Sequence, residues 1–379
     1  MTRTEWVDNA AALAEATSGW SGRAIGFDSE FIRVRTFYPE AALYQAADGE
    51  RVHLMDPLPL SHDELRPLAT ALSSEQTLFV MHACSEDLEL LRYHLGVVPA
   101  RLFDTQIAMA LVSPDSSLGY QALVRALLGV EVDKSETRSD WQQRPLSAAQ
   151  FDYAAIDVVH LQPIHAMLGD KLERLGRTDW MAEEMRNVLA AAATARRPED
   201  YYHSVRDAWR LEGAELAVFR ALCSWRETTA QQRNRPRSRI IPDPVLREMV
   251  REHLHRLRDL EGLLRPPLSE KWAPELEQVI GAALHLDSSQ WPEPVPAPLS
   301  PELSEIIKVM RSSVVLLAAQ LAIAESVLAS RRLLESLVRS CMNGGGALPL
   351  EWRGWRRTVA LPALLPIILQ PRWRLTAPQ

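Results

Sequence analysis

The chain has 379 residues, 47% hydrophobic and 24% charged, with a formal net charge of −7. That length exceeds one ordinary core, so two or three soluble globular domains are expected. The three cysteines, Cys84, Cys223 and Cys341, are too scattered for a zinc ribbon or a disulfide framework, which fits a reducing cytoplasm.

The opening MTRTEWVDNAAALAEA carries early acids and lacks the apolar run of a signal peptide. Ala24 to Phe31 (AIGFDSEF) reads as a strand, Arg51 to Met55 as another and Leu78 to His82 as a third, buried one. Helical patterns follow over Ser85 to Leu95, Asp104 to Val112 and Ser147 to Leu168. Strands interleaved with helices predict an α/β domain with a central sheet over residues 1–200. After Pro198 the strand signal disappears, and residues 205–285 are helical in pattern, punctuated at Pro236, Pro242 and Pro244. Asp287 to Glu302 holds five prolines and reads as a stiff linker. Residues 303–370 are helical again, interrupted at Gly344-Gly345-Gly346, and their apolar stretch around Val314 to Ala324 is too short to span a bilayer. No membrane role is expected.

The acidic total argues at first against a nucleic-acid partner. Carboxylates gathered in one metal site, with basic strips elsewhere, would give the same sum. Three segments carry such carboxylates. In Asp28-Ser29-Glu30 the two acids project from one face of a strand, a repulsive arrangement that a hard cation relieves; taken alone, the pair also suits a solvent-facing strand end. Asp87 falls in the first turn of the helix begun near Ser85, which reads as its N-cap, and by itself Asp87 is an ordinary dipole-compensating acid. Tyr153 and Asp157 stand at i and i+4 on one helix face, a polar pair or a plain surface hydrogen bond.

The order of these segments resembles the DEDD exonuclease superfamily. The surrounding blocks DSEFIRVRTFYPE, HACSEDLELL, FDTQIA, KSETRSDWQQRPLS and YAAIDVVHLQPI are similar, in order, to those of the ribonuclease D family over about residues 20–170. Ser29 stands where that family usually has Thr, so a hydroxyl is retained. The resemblance implies a ribonuclease H-like α/β fold with a mixed sheet. It also implies two divalent metal ions, Mg²⁺ or Mn²⁺, held by Asp28, Glu30, Asp87 and Asp157. Tyr153, four residues before Asp157, would aim the attacking water and marks the tyrosine subtype. The implied activity is 3′→5′ exoribonuclease action releasing 5′-mononucleotides, with stable RNAs such as tRNA precursors as substrates. A DNA-directed exonuclease and a non-catalytic RNA-binding scaffold are the competing readings.

Phe31 and Trp141 are candidates for stacking on a base, and Arg138 and Arg144 for phosphate contact. Residues 206–286 resemble the HRDC domain, and residues 303–379 resemble a second, more divergent HRDC-like module. The stretch Arg226 to Arg239 carries five arginines against one acid, and Arg233, Arg235, Arg237 and Arg239 alternate as if along an extended, RNA-tracking loop or a solvated connector. Trp352 and Trp355 read as packing residues. A monomer binding RNA with a single-stranded 3′ end is the expected state.

Overall fold

The computed structural model describes residues 3–115, 118–132, 136, 139–251, 257–264, 266, 268–342 and 345–376. The chain divides into two compact units, one formed by residues 1–32, 40–193 and 299–379, the other by residues 33–39 and 194–298. Among the described residues, no helix is long and apolar enough to cross a membrane.

The first unit is built on six strands: β1 (Arg3–Val7), β2 (Ala24–Ile32), β3 (Glu40–Ala47), β4 (Arg51–Met55), β5 (Leu78–Met81) and β6 (Leu102–Asp104). They lie in the order β1-β4-β3-β2-β5-β6. β2 and β3 are antiparallel, as are β3 and β4, whereas β1 runs parallel to β4 and β5 runs parallel to both β2 and β6. The sheet is therefore mixed, as expected. Its centre is an aromatic cluster in which Phe27 lies 6.0 Å from Tyr44 and 5.6 Å from Phe79, with Trp20 6.1 Å from Phe79. The T-shaped and stacked pairs fill the middle of the unit with rigid apolar area.

Gly26 decides how a helix reaches this sheet. A Cβ at position 26 would stand 2.7 Å from the Val158 carbonyl oxygen and 3.1 Å from Leu161 Cβ. Only glycine allows that approach. The helical pattern read over Ser147 to Leu168 is here two helices, Ala148–Val159 and Leu161–Arg174. Pro163 explains the break, because it has no N–H for the Val159 carbonyl and its ring crowds that group. The first of these helices is fixed at its start by a reciprocal cap between Ser147 and Gln150.

The segment from Leu299 onward, read in sequence as a lobe of its own, belongs to the first unit. Ile306, Met310, Val314, Leu334 and Leu364 share one hydrophobic core with the sheet. The helix Thr178–Ala193 receives this segment: Trp180 stacks on Trp355 at 4.5 Å and 11°. Glu184 Oε1 accepts from Arg356 Nη1 at 2.6 Å and from Trp355 Nε1 at 2.7 Å. Trp352 and Trp355 are buried, as their packing role requires.

The second unit is a helical bundle around the helix Gly213–Gln232, with further helices at Asp243–Arg251, Leu257–Leu264 and Leu268–Leu284. Its core includes Phe219, Trp225 and Trp272, the two indoles meeting edge-on at 5.3 Å. Phe37, from the short segment between β2 and β3, lies in the same core.

Gly26→Ala is expected to destabilise the protein by about 1–3 kcal/mol, the usual range for overpacking a tight contact, because a backbone oxygen cannot rotate away. Urea unfolding that leaves the midpoint unchanged would show that the helix retreats at no cost.

Candidate active site

β2 presents Asp28 and Glu30 from the middle of the sheet, and Ser29 between them is buried. The helix Ser85–His94 follows β5 and carries Asp87, only 8% exposed, in its first turn. Ser85 is the first helical residue and not the N-cap that the sequence suggested; Cys84 holds that position, without a side-chain cap. The turn is pinned instead by Asp104. Its Oδ2 accepts from Cys84 N at 3.0 Å, while its Oδ1 caps the next helix through Gln106 N at 2.8 Å and Ile107 N at 3.2 Å. Ala83 adopts a positive φ of 54° in that turn, so the chain needs an anchor there. Asp104 thus sets where Asp87 begins its helix. Ser29 Oγ completes the placement by donating to Asp87 Oδ1.

Asp157 arrives on the helix that Gly26 admits. Tyr153, one turn earlier, hydrogen-bonds to its carboxylate. Behind Tyr153 stands Trp141, with ring centroids 5.8 Å apart. Tyr120 OH donates to Ile156 O at 2.7 Å and holds the turn beside Asp157. The Tyr120 phenol is pushed above its usual range by burial and then by the charges of Asp157 and Asp28. Tyr120 therefore borders the acids, though no sequence pattern singled it out. Asp104 was likewise missed; an Asp-Thr at the start of a helix was its one signal.

The acids feel one another. Asp28 is raised well above the usual carboxylate range by burial first, then by the charges of Asp87, Asp157 and Glu30. Glu30 is pushed up to about 9 by burial and by Asp157 and Asp87. Asp157 is raised to about 7 by burial, against the Tyr153 hydrogen bond, and Asp87 to about 6 by burial, against the Ser29 hydrogen bond. Among the described residues, no group of three or more His, Cys, Asp or Glu side chains is arranged so that it could hold a metal ion as it stands. The charges of these acids do act on Asp28 and Glu30, and repulsion of this kind between oxygen donors is what a hard divalent cation relieves. The donor set fits such an ion.

Other residues picked out by sequence have different surroundings. Phe31 is partly buried against the hydrophobic core. Trp141 is 2% exposed, so it packs under Tyr153 and offers no face to a base. Arg144 is tied to Asp56 at 2.6 and 2.7 Å, to Ala42 O at 2.6 Å and to Trp141 O at 2.8 Å, which leaves no free fork for phosphate. Arg138 lies outside the described residues. The expected extended arginine loop is not extended. Arg233 is the C-cap of the helix Gly213–Gln232, Asn234 has φ 45°, and Arg237–Ile240 is a helical turn. Arg237 is held by buried Glu227 at 2.5 and 2.7 Å, and Arg233 sits 4.7 Å from the Trp272 ring centroid, while Arg235 and Arg239 are exposed.

Comparison with known proteins agrees with this geometry. Residues 4–173 match the family described as 3′-5′ exonuclease, and residues 215–276 match the HRDC domain. Ribonuclease D of Pseudomonas paraeruginosa is 37% identical over 365 residues, covering 95% of this chain and 96% of the relative. Ribonuclease D of Xanthomonas oryzae is 34% identical over 368 residues, covering 96% and 98%. The crystal structure of Escherichia coli RNase D, described as an exoribonuclease involved in structured RNA processing, superposes with a TM-score of 0.88. Its sequence identity is 30%, with 97% of this chain and 99% of that one covered. Near-complete coverage in both directions, joined to the acid cluster on β2 and its two helices, leads to one conclusion: the chain belongs to the ribonuclease D family of 3′→5′ exoribonucleases, which depend on divalent metal.

Proposed function

We propose that Asp28, Glu30, Asp87 and Asp157 hold two divalent ions, Mg²⁺ or Mn²⁺, and that Tyr153 aims the water that attacks the terminal phosphodiester. The observation that carries this is four carboxylates out of full contact with water, Asp87 buried and the other three half-buried, each raised in pKa, with Asp28 and Glu30 raised partly by the charges of the others. Ions of this kind supply a more acidic water and neutralise charge on the leaving 3′ oxygen. The chain's own residues do the rest. Ser29 keeps Asp87 ionised and oriented, because its hydroxyl donates to the carboxylate. Tyr153 donates a hydrogen bond to the Asp157 carboxylate, and a phenol oxygen can also accept, so it can fix the direction of a water beside Asp157. Trp141, buried behind the phenol, restricts its swing. The products would be 5′-mononucleotides, taken one at a time from single-stranded 3′ ends of RNAs such as tRNA precursors, by a monomer in the cytoplasm.

Asp28→Asn and Asp157→Asn should each cost roughly 10²- to 10⁴-fold in Mg²⁺-dependent turnover of a 3′-extended tRNA. Their circular dichroism should be unchanged, because each removes a charge from a repelling cluster. Near-normal rates in either variant would sink the ligand assignment, and a matched DNA assayed beside the RNA would reveal a DNA-directed enzyme.

Tyr153→Phe should slow turnover by roughly 10²-fold, the low end for a positioned proton-handling group, with Mg²⁺ affinity retained. A loss of metal affinity with intact chemistry at saturating Mg²⁺ would reassign Tyr153 to the ligand set.

Linkage gives a readout that needs no substrate. Each of the four carboxyls has a folded pKa above its unfolded value near 4, so each binds its proton more tightly in the folded state. Their contribution is fully present below that value and is lost as pH rises through about 6, 7 and 9. With chelator present, Tm should fall from about pH 5 to about pH 9, and Mg²⁺ should raise Tm far more at about pH 8 than at about pH 5. An equal Mg²⁺ effect at both pH values would place the ion elsewhere.

A further inference from the structure

Gln45 lies in β3 and is fully buried, yet neither Nε2 nor Oε1 of its amide meets a hydrogen-bond partner among the described residues. Glutamine is seldom wholly buried, and an unpaired amide inside a fold is costly. Its neighbours on the sheet give no reason for a polar group there. Leu43 and Ala47, two residues to either side on the same face, and Leu54, opposite on β4, are all buried and apolar. A methionine of similar size would fill the place without the cost. An orphaned amide of this kind in a native core calls for a role.

The strand register supplies one. Asp28 stands directly opposite Gln45, within the regular antiparallel pairing that runs from Gly26 opposite Ala47 to Glu30 opposite Leu43. Directly opposed residues point to the same face with Cβ atoms about 4.5–5.5 Å apart, so the long glutamine side chain can bring its amide to the Asp28 carboxyl. The next pair, Ser29 and Tyr44, shows the same sharing on the other face. Ser29 donates to Asp87, and the Tyr44 phenol is raised by burial and then by the charge of Asp87. The face of Asp28 and Gln45 is the one that the helix Ala148–Val159 covers, because a Cβ at Gly26, two residues before Asp28, would meet Val158 O. We infer that Gln45 is a positioning residue for the exonuclease reaction: its Nε2 donates to the Asp28 carboxylate when that group holds a cation, and so keeps it in the ligating orientation. Ligating carboxylates depend on outer hydrogen-bond partners of this sort. An amide suits the task because it donates without a positive charge, whereas Lys or Arg would compete with the ion for the acids. The inference rests on the ligand role proposed for Asp28 and deepens it.

In the full-length protein, Gln45→Met keeps the bulk and removes both polar atoms. With chelator present, its Tm should equal or exceed that of the wild type, because an unpaired buried amide has gone. The Mg²⁺ needed for a given rise in Tm should increase by about 10- to 100-fold, the usual effect of losing an outer partner. Turnover of a short oligoribonucleotide should show the same shift in its half-saturating Mg²⁺, with KM for the RNA little changed. If Gln45→Met does not fold by circular dichroism, Gln45→Leu takes its place in the comparison; failure of both to fold would assign the amide to the core and overturn the inference. An unshifted Mg²⁺ dependence in a folded variant would also overturn it, as would a Tm loss of equal size with and without Mg²⁺. Asp28→Asn, measured in parallel, separates the two levels. If Asp28→Asn keeps the wild-type response of Tm to Mg²⁺, the ligand reading itself fails; if that response is lost in Asp28→Asn and normal in Gln45→Met, only the positioning role falls.

Discussion

Like charges drawn out of water set the terms for the rest of this molecule. A carboxylate buried near another carboxylate is disfavoured twice, by lost hydration and by repulsion, and Asp28 meets three such neighbours. Left to itself, such a cluster would open to solvent. It stays because each acid is placed by something stiff. Gly26 admits the helix of Asp157 to the sheet, Asp104 pins the turn before Asp87, and Tyr120 ties the turn beside Asp157 through Ile156 O. The surrounding fold thus maintains a repulsive arrangement of the kind that a bound cation would relieve. Preorganisation of this kind trades folding stability for function.

The four candidate acids were legible because chemistry constrains residue type. Two acids two residues apart on a strand, an acid at a helix start and an acid four residues after a tyrosine all survive as patterns in a single sequence. What could not be read is what depends on long-range packing. β3 (EAALYQAA) is rich in alanine, which carries little strand preference, and only its burial between β2 and β4 makes it a strand. β6 has three residues, too few for any period to show. Ser85 looked like a cap because it is a serine, yet the anchor of that turn comes from Asp104, on a different strand. Trp141 and Arg144 looked available because sequence cannot report that one is buried and the other already engaged.

Arginine shows how misleading local composition becomes. The run from Arg226 to Arg239 suggested a basic strip for RNA. In the structure Arg226 bonds to Asp243, Arg237 to Glu227, and Arg233 lies over Trp272. Arg226 and Arg237 serve the interior of the helical unit, where a paired, planar cation can bridge aromatic and acidic partners, while Arg233, itself exposed, covers the Trp272 ring. Of the alternating set Arg235 and Arg239 are left at the exposed surface, and two exposed cations are weak grounds for a phosphate track. The arrangement is also easier to reconcile with a net charge of −7 than a basic groove would be.

The segment beyond Leu299 bears on the placement of the acids through packing. Its first helix, Pro301–Leu321, turns Ile306, Met310, Val314 and Ala318 inward at a helical period, and these residues join the same core as Val7, Phe27 and Leu161. Ala324 N donates to Ala110 O at 2.8 Å, and Arg177 reaches Leu111 O at 2.7 Å and also Leu321 O. The Ala110 and Leu111 carbonyls end the helix Thr105–Val112, whose N-cap is Asp104. Asp104 is also the residue that fixes the turn before Asp87. A chain ended before Leu299 would leave the Ala110 carbonyl without its Ala324 partner and an apolar face in water, each costly in a buried setting. The C-terminal helices are therefore part of the scaffold that holds the acids, and the first unit is complete only when the chain returns to it.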